Sequence, residues 1–338
     1  MPVAELLETL ATRSLDPRES YTTFAELVDG RLTELEIAAL LAALKTRGET
    51  PGEIAGAARA LRDAAVPFPK PLYPVADSCG TGGDGAGTVN LSTAAAFVAA
   101  AAGVRVAKHG NRASSSRCGS ADLLEASGVR LDPPPEVARR CLDQAGICFL
   151  FAPVYHPGVR RVTSVRRALR TRTVFNLLGP LANPAKPEIQ VMGIYARHLV
   201  RPAALTLAEL GCESALVVHG AGLDELALHG PTTAALLRDG VVTDLEITPE
   251  AAGLDRAPIA ALAASGGAAE AAAWLRTLLG GDGDPVHRAA VALNAGAMLW
   301  IAGLADSLTN GTTYAAELLD GGAGLARLDA LREVSHGA

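Results

Sequence analysis

The chain has 338 residues, of which 49% are hydrophobic and 20% are charged. That length can hold two domains with a substantial hydrophobic core, and the composition excludes an intrinsically disordered chain. The net charge of −6 and the aromatic content of 4% argue against a nucleic-acid-binding surface, because such surfaces depend on clustered cations and stacking aromatic rings.

The cysteines and the N-terminus indicate where the protein works. The five cysteines are odd in number and include no C-x-x-C pair, which argues against a disulfide framework and a zinc site. The opening stretch MPVAELLETL carries acidic residues early and resembles no basic, apolar leader. Residues 85–104 are uncharged but too weakly apolar to span a membrane. We therefore expect a cytoplasmic protein.

The first 70 residues predict a small helical domain. The stretch TPGEIAGAARALRDAA opens with Thr50, Pro51 and Glu53, a capping box with proline at the first helical position. The proline-rich stretch VPFPKPLYP then predicts a linker. We also expect the arginine-rich segment at about 156–185 to pack against this domain.

Beyond residue 70, short apolar runs alternate with helical stretches. The runs are YPVADSC, VRVA, ICFLFA, IQVMGIY and SALVVHG. Such alternation is typical of a parallel sheet with helices on both faces. We therefore predict an α/β fold in which residues 71–338 form the larger domain.

Unusual polar residues follow four of these runs. The segments GTGGDG, KHGNRASSS, VYHP and AGLDE each come directly after an apolar run. Ligands of parallel α/β sheets bind at the carboxyl ends of the strands. The four segments therefore predict one binding crevice.

The glycine-rich segment DSCGTGGDGAGTVNLST, residues 77–93, places Gly80, Gly82 and Gly85 at dinucleotide-binding spacing. A NAD site also needs an acidic residue about 20 residues further on, for the ribose hydroxyl. No acidic residue lies between positions 85 and 121, where Arg, Lys, Ser and Asn occur instead. The segment therefore favours another phosphate compound, with NADP-dependent reduction as an alternative.

Two loops offer the chemistry of a phosphate site. The glycines let backbone amides approach anionic oxygens, and Asn90 and Ser92 stand where the next helix begins. The second loop holds Lys108 and the serines at 114–116, followed by Ser120, which we expect to cap another helix. Two such loops on adjacent strands can hold phosphate groups at both ends of one ligand.

Asp224 and Glu225 supply carboxylates after the run SALVVHG. Mg²⁺ usually binds one or two carboxylates together with substrate phosphates, so this pair predicts a magnesium site. His109 and His156 could act as acid–base groups or only orient their neighbours, and the residues themselves leave that choice open.

Four motifs closely resemble those of the anthranilate phosphoribosyltransferase family. They are GTGGDGAGTVNLST, KHGNRASSSRCGSADLLEASGV, RTRTVFNLLGPLANP and VVHGAGLDE, in the family's order. The resemblance runs nearly end to end. It implies a homodimer of the nucleoside phosphorylase/phosphoribosyltransferase type, with a helical domain and an α/β catalytic domain whose sheet is mostly parallel. It also implies transfer of the 5-phosphoribosyl group from phosphoribosyl pyrophosphate to the anthranilate amine, in tryptophan biosynthesis.

The resemblance assigns residues by motif position. It implies that phosphoribosyl pyrophosphate is bound by Gly80, Gly83, Asp84, Thr88, Asn90, Leu91, Ser92, Thr93, Lys108, His109, Gly110, Asn111, Arg112, Ala113, Ser114, Ser115, Ser116 and Ser120. It implies that anthranilate is bound by Gly80, Asn111 and Arg166, and that two Mg²⁺ ions are held by Ser92, Asp224 and Glu225. Catalysis would then depend on positioning and electrostatics, with His109 as a further candidate.

The chain departs from the family's motifs at two places. HGAGLDE is one residue shorter than the family's HG-x-DGLDE, and Arg170 stands where glycine is frequent. Two alternatives share the architecture: a pyrimidine nucleoside phosphorylase, and a non-catalytic nucleic-acid-binding relative. The KHGNR and FNLLGPLANP motifs argue against the first, and the net charge of −6 argues against the second.

Overall fold

The computed structural model describes residues 3–113 and 117–337. Three of the site residues implied by the resemblance, Ser114, Ser115 and Ser116, lie outside the described residues. Within the described ranges, no helix combines the length and the apolar character needed to cross a membrane.

Four helices form an N-terminal bundle: α1 (Val3–Thr12), α2 (Pro17–Val28), α3 (Glu34–Arg47) and α4 (Pro51–Asp63). Each of the last three begins with a capping box, in which an N-cap side chain and a glutamate three residues later bond each other's backbone amides. The predicted box of Thr50 and Glu53 is confirmed, and Glu53 accepts from the Thr50 amide at 2.9 Å.

The rest of the chain contributes seven strands: β1 (Ala76–Gly80), β2 (Val106–Gly110), β3 (Ile147–Phe151), β4 (Ile189–Gly193), β5 (Ser214–Gly220), β6 (Thr232–Arg238) and β7 (Val241–Ile247). They form one sheet in the order β3-β2-β1-β4-β5-β6-β7. The first five strands are parallel, and β6 and β7 are antiparallel. The predicted α/β fold with a mostly parallel sheet is confirmed.

The β6–β7 hairpin is an element that the apolar-run pattern did not predict. Asp239 and Gly240 at its turn have positive φ angles of 52° and 74°. Positive φ at both central residues defines the type I′ turn that favours Asp-Gly. The Asp-Gly pair was therefore a usable signal in the sequence.

Helices cover both faces of the sheet: α5 (Leu91–Ala101), α6 (Ser120–Ala126), α7 (Pro135–Ala145), α8 (Ala152–Tyr155), α9 (Arg160–Leu169), α10 (Phe175–Leu181), α11 (Val200–Glu209), α12 (Ala268–Leu279), α13 (Pro285–Ile301), α14 (Leu308–Asp320) and α15 (Ala323–Ser335). Successive strand residues point to opposite faces. Val191 of β4 therefore joins a core with Leu293 of α13, whereas Met192 joins a second core with Leu40 of the bundle and Val162 of α9.

The close crossing of α2 and α4 generates a stability prediction. A Cβ at Gly56 would overlap the Pro17 carbonyl oxygen and the Tyr21 amide nitrogen. Because backbone atoms cannot move aside cheaply, we expect Gly56→Ala to lower the free energy of unfolding by about 1–3 kcal/mol in urea denaturation. Gly52→Ala is the matched control, since its nearest atom would be Cγ of the Pro17 ring at 3.1 Å. Equal losses in the two variants would contradict the prediction.

Candidate active site

The carboxyl ends of four parallel strands meet at one edge of the sheet, and each ends in glycine: Gly80, Gly110, Gly193 and Gly220. A Cβ at Gly80 or Gly193 would overlap Asp224, and a Cβ at Gly220 would overlap the Glu225 carbonyl. The loop after β5 therefore crosses directly over the ends of β1 and β4. Glycine is required there because the chain approaches so closely.

The glycine loop between β1 and α5 has an open backbone. Gly82, Gly83, Gly85 and Gly87 have φ angles of 66°, 76°, 79° and 65°, in the left-handed region that glycine adopts without steric cost. The Gly82 amide donates to Asp224 Oδ2 at 2.6 Å, and the Arg172 guanidinium donates to the Gly83 carbonyl. Side chains from two distant segments thus hold the start of the loop, its near end at Gly82 and Gly83.

The start of α5 brings several of the implied phosphate ligands together. Asn90 is its N-cap, and the Asn90 side-chain amide donates to the Cys118 carbonyl of the second loop at 3.2 Å. The Ser92 amide donates to Glu225 Oε1 at 3.2 Å. Leu91 and Thr93 are buried, so a ligand at this helix end would meet their backbone rather than their side chains.

Asp84, Asp224 and Glu225 form an acidic cluster beside the loop. Burial raises the pKa of the Asp224 carboxyl, and the charge of Asp84 raises it further. Burial also raises the pKa of Glu225, as does Asp224, while Lys108 opposes the rise. Such shifts are typical of carboxylates that lack a sufficient counter-charge.

Magnesium fits this donor set. Among the described residues, no three His, Cys, Asp or Glu side chains gather into a metal site of their own. A cation at Asp224 and Glu225 would therefore complete its coordination with ligand oxygens and water. Mg²⁺ is suited to that arrangement, since it usually binds one or two carboxylates and substrate phosphates.

Lys108 lies beneath the glycine loop with 2% of its surface exposed. Its ammonium donates to the Ser78 carbonyl and lies 3.5 Å from Ser92 Oγ. The buried Asp77 on β1 accepts from Asn183 Nδ2 at 2.9 Å. Burial raises the pKa of Asp77, and the charge of Lys108 opposes that rise. A buried cation is thus placed under the site, where its charge also acts on the buried Asp77 carboxyl.

The second loop follows β2 and includes Asn111 and Arg112. Asn111 Oδ1 accepts from the Arg112 amide at 2.7 Å. The Arg112 guanidinium bonds Asp122 at 3.0 Å and Glu125 at 2.7 Å, both on α6. The Arg112 side chain is therefore already neutralised, which leaves its backbone as the part available to an anion.

The N-terminus of α6 corrects an expectation. Ser120 does not cap this helix, because the N-cap is Gly119 and Ser120 is the first helical residue. Asp122 Oδ2 accepts from the amides of Gly119 and Ala113, each at 2.9 Å. A Cβ at Gly119 would overlap the backbone around Ala113. The loop folds back onto the start of α6. There Asp122, the third residue of the helix, accepts the amide hydrogen bonds that Ser120 was expected to accept.

His109 and His156 pack edge to face, with ring centroids 5.1 Å apart. His109 Nδ1 lies 3.0 Å from the Gly179 carbonyl oxygen. Because a carbonyl only accepts, Nδ1 carries the proton, and the buried Nε2 is an acceptor without a partner among the described residues. Burial lowers the pKa of His109 to about 3 and that of His156 to about 4. Both rings are therefore neutral at pH 7.

Arg166 on α9 is half-buried, and its guanidinium carbon lies 5.8 Å from the centroid of the Phe175 ring. Burial lowers its pKa, and in the part of the chain that the structure describes no acidic side chain pairs with it. Arg167 beside it is exposed. A half-buried guanidinium without a counter-ion favours Arg166 as the group that binds a ligand carboxylate.

Comparison with known proteins identifies the family. Models of a glycosyl transferase family match residues 72–325 with its a/b domain and residues 4–65 with its helical bundle domain. The chain is 60% identical over 335 residues to the anthranilate phosphoribosyltransferase of Sorangium cellulosum (strain So ce56), covering 96% of each chain. It belongs to the anthranilate phosphoribosyltransferase family. The enzyme of Aeromonas salmonicida (strain A449) is 49% identical over 324 residues, again covering 96% of each chain.

Solved structures of this family share the fold. The anthranilate phosphoribosyltransferase of Thermus thermophilus superposes with a TM-score of 0.94 at 45% identity, covering 100% of both chains. The Saccharomyces cerevisiae enzyme, solved in complex with PRPP and Mg, gives a TM-score of 0.87 at 25% identity, covering 99% of this chain and 98% of that chain. The resemblance drawn from the four motifs is confirmed.

The two departures from the motifs of anthranilate phosphoribosyltransferases have structural explanations. Arg170 ends α9 with φ 48° and ψ 31°, a left-handed C-cap conformation that favours glycine. The shortened HGAGLDE motif turns at Ala221 and Gly222, with φ angles of 50° and 106°. This tight turn still brings Asp224 against Gly80.

Three groups that shape the site were not predicted from the sequence. Asp77 and Asn183 join β1 to the segment after α10. Arg172 holds the glycine loop, and its guanidinium carbon lies 4.2 Å from the centroid of the Tyr195 ring. An aspartate within the apolar run VADSC was a readable signal for Asp77. The contacts of Arg172 and Asn183 span 89 and 106 residues, and no local pattern encodes such pairs.

The neutral histidines generate a prediction about pH. Their folded-state pKa values, about 3 for His109 and about 4 for His156, lie below the ordinary value of about 6.5. The unfolded state therefore binds more protons as the pH falls below about 6.5, and stability should decrease over that range. Each ring contributes a slope of at most about 1.4 kcal/mol per pH unit.

His156→Gln should reduce this slope in urea denaturation between about pH 5 and pH 7, because glutamine does not titrate. His198→Gln is the control, because it makes the same replacement at an exposed imidazole. An unaltered slope in His156→Gln would show that the ring does not resist protonation in the folded protein.

Proposed function

We propose that the protein transfers the 5-phosphoribosyl group from phosphoribosyl pyrophosphate to the amine of anthranilate, with release of pyrophosphate, in tryptophan biosynthesis. The observation that carries the proposal is the meeting of the glycine loop, Lys108 and the Asp224–Glu225 pair at one sheet edge. Membership of the anthranilate phosphoribosyltransferase family supports the same activity.

Phosphoribosyl pyrophosphate would occupy both loops. We assign its pyrophosphate to the glycine loop and the N-terminus of α5, where backbone amides and the helix dipole favour anions. We assign its 5-phosphate to the second loop as far as Ser120, whereas Lys108 at the start of that loop lies beside Ser92 of α5 and would serve the pyrophosphate. Leu91 and Arg112 would contribute backbone atoms, because the Leu91 side chain is buried and the Arg112 side chain is bonded to α6.

Two Mg²⁺ ions would be held by Ser92, Asp224 and Glu225. The Saccharomyces cerevisiae relative was solved with PRPP and Mg, and the raised pKa values of Asp224 and Glu225 indicate carboxylates in need of a cation. When bound, the metal would neutralise charge on the pyrophosphate and orient it.

In the reaction, the bond between ribose C1 and a pyrophosphate oxygen breaks, and a bond from C1 to the anthranilate nitrogen forms. The electron pair of the broken bond leaves with pyrophosphate, the sugar gains cationic character, and the amine releases a proton to water or to the departing pyrophosphate. Lys108 and the amides of the glycine loop are placed to stabilise the departing negative charge. No activated serine or cysteine is required, because a neutral aromatic amine is itself the nucleophile.

Anthranilate would be bound by Arg166, Asn111 and Gly80. Arg166 would hold its carboxylate with charge-assisted hydrogen bonds. We assign His109 an orienting role, in which its protonated Nδ1 holds the Gly179 carbonyl of α10.

The proposal extends to organisation and location. We assign residues 1–70 to a helical domain and residues 71–338 to the catalytic domain, with residues 156–185 packed on the first. The shared core of Leu40 and Val162 supports that packing. We further propose a homodimer that acts in the cytoplasm, on the strength of the family resemblance and the composition.

The first experiment follows anthranilate fluorescence, which should decrease only when protein, Mg²⁺ and phosphoribosyl pyrophosphate are all present. Glu225→Gln should raise the Mg²⁺ concentration for half-maximal activity by about tenfold or more, because a metal ligand loses its charge. Glu246→Gln is the control, since Glu246 is exposed on β7. An unchanged fluorescence with folded protein would contradict the proposal. The protein would then be tested with nucleoside and phosphate, next with nicotinamide cofactors, and last with DNA at low salt.

Arg166→Ala should raise the KM for anthranilate by about tenfold to a hundredfold, the loss expected for hydrogen bonds to a charged group. The KM for phosphoribosyl pyrophosphate should change little in steady-state kinetics. Arg167→Ala removes the adjacent, exposed guanidinium and should leave both constants unchanged. If the two variants lose anthranilate affinity equally, the assignment to Arg166 is wrong.

A further inference from the structure

The far end of the glycine loop is paired with a segment from the C-terminal part of the chain. Thr88 forms an antiparallel bridge with Ala263. The Val89 amide donates to the Leu262 carbonyl at 2.9 Å, and the Ala264 amide donates to the Gly87 carbonyl at 2.8 Å. Residues 261–264, the clamp segment, therefore fix residues 87–89 of the loop, just as Asp224 and Arg172 fix its near end.

The clamp segment is held in turn by His287 of α13. His287 Nε2 lies 2.9 Å from the Ala261 carbonyl oxygen, and Nδ1 lies 3.0 Å from Trp274 Nε1 of α12. An indole N–H can only donate, so Nδ1 must accept, and the proton must be on Nε2, which donates to Ala261. The two neighbours therefore allow His287 a single neutral tautomer.

These groups lie immediately behind the substrate loop. Thr88, Asn90, Trp274 and His287 line the same cavity, which has a volume of about 40 Å³. Asn90 also bonds the second loop through the Cys118 carbonyl at 3.2 Å. A displacement of the clamp segment would therefore reach both loops that the proposed function assigns to phosphoribosyl pyrophosphate.

We propose that His287 is a positioning residue for phosphoribosyl pyrophosphate. It fixes the clamp segment through the Ala261 carbonyl, and the clamp segment fixes the far end of the glycine loop. The inference rests on the proposed function, because that function assigns Thr88 and Asn90 to this substrate. His287 reaches the loop only through the clamp segment, and among the described residues no hydrogen bond or ion pair joins Arg166, the proposed anthranilate ligand, to that segment.

A purely structural histidine and a positioning histidine differ in their kinetic effects. His287→Ala should raise the KM for phosphoribosyl pyrophosphate by about tenfold, because the hydrogen bond from His287 to the Ala261 carbonyl is lost. The kcat and the KM for anthranilate should stay within about twofold. His287→Gln, whose amide can donate to Ala261, should restore most of the affinity. Trp274→Phe leaves His287 able to donate to Ala261 and should change the KM by less than about twofold.

Two measurements test the clamp independently of catalysis. The ¹⁵N spectrum of the wild-type protein should show His287 as the Nε2-protonated tautomer, and amide exchange of Val89 and Ala264 should accelerate in His287→Ala. If the wild-type protein lacked transferase activity, the proposed function would be wrong. These two measurements would still test whether His287 fixes the clamp segment. His287→Leu, which conserves volume but cannot donate, replaces the alanine variant should that variant not fold.

An Nδ1-protonated His287 would overturn the proposal. The proposal would also be wrong if a folded variant without a hydrogen-bond donor at position 287 kept the wild-type KM for phosphoribosyl pyrophosphate. In that case the amide exchange rates of Val89 and Ala264 would also equal those of the wild type. A loss of stability with both substrate constants unchanged would assign His287 a structural role only.

Discussion

The site depends on the close packing of Asp224 against the glycines that end β1 and β4. Neither Gly80 nor Gly193 leaves room for a Cβ, because Asp224 fills that space. From this position the Asp224 carboxylate bonds the Gly82 amide, and Glu225 bonds the Ser92 amide. One pair of acidic residues thus fixes the loop after β5, the glycine loop and the start of α5 relative to one another.

That packing has an electrostatic cost which the ligands are suited to offset. Asp84, Asp224 and Glu225 lie close together, and burial and mutual repulsion raise the pKa values of the latter two. Lys108 opposes only part of this charge, since its charge also acts on the buried Asp77. Divalent cations at Asp224 and Glu225 would balance this charge, and an anionic pyrophosphate beside the carboxylates would need them.

The helical bundle reaches the same site through the C-terminal turn of α10. The last carbonyls of a helix lack partners within the helix, and here side chains from three other elements supply them. His109 of β2 bonds Gly179, Gln190 of β4 bonds Pro180 at 2.8 Å, and Arg62 of α4 bonds Leu181 at 2.7 Å. The position of the His109 ring is therefore linked to the packing of the bundle on the sheet.

The sequence by itself determined most of the helices and the parallel strands, because these depend on local patterns, although the β6–β7 hairpin was not among the predicted elements. The capping box at Thr50, the parallel strands and the acidic pair at Asp224 and Glu225 could all be read from spacing and residue type. Only the tertiary structure decided that Gly119 rather than Ser120 caps α6, and that His287 supports the glycine loop from a distant part of the chain. Those outcomes depend on which backbones approach each other and which carbonyls find donors across the fold. Contacts of that kind leave no periodic trace in the sequence.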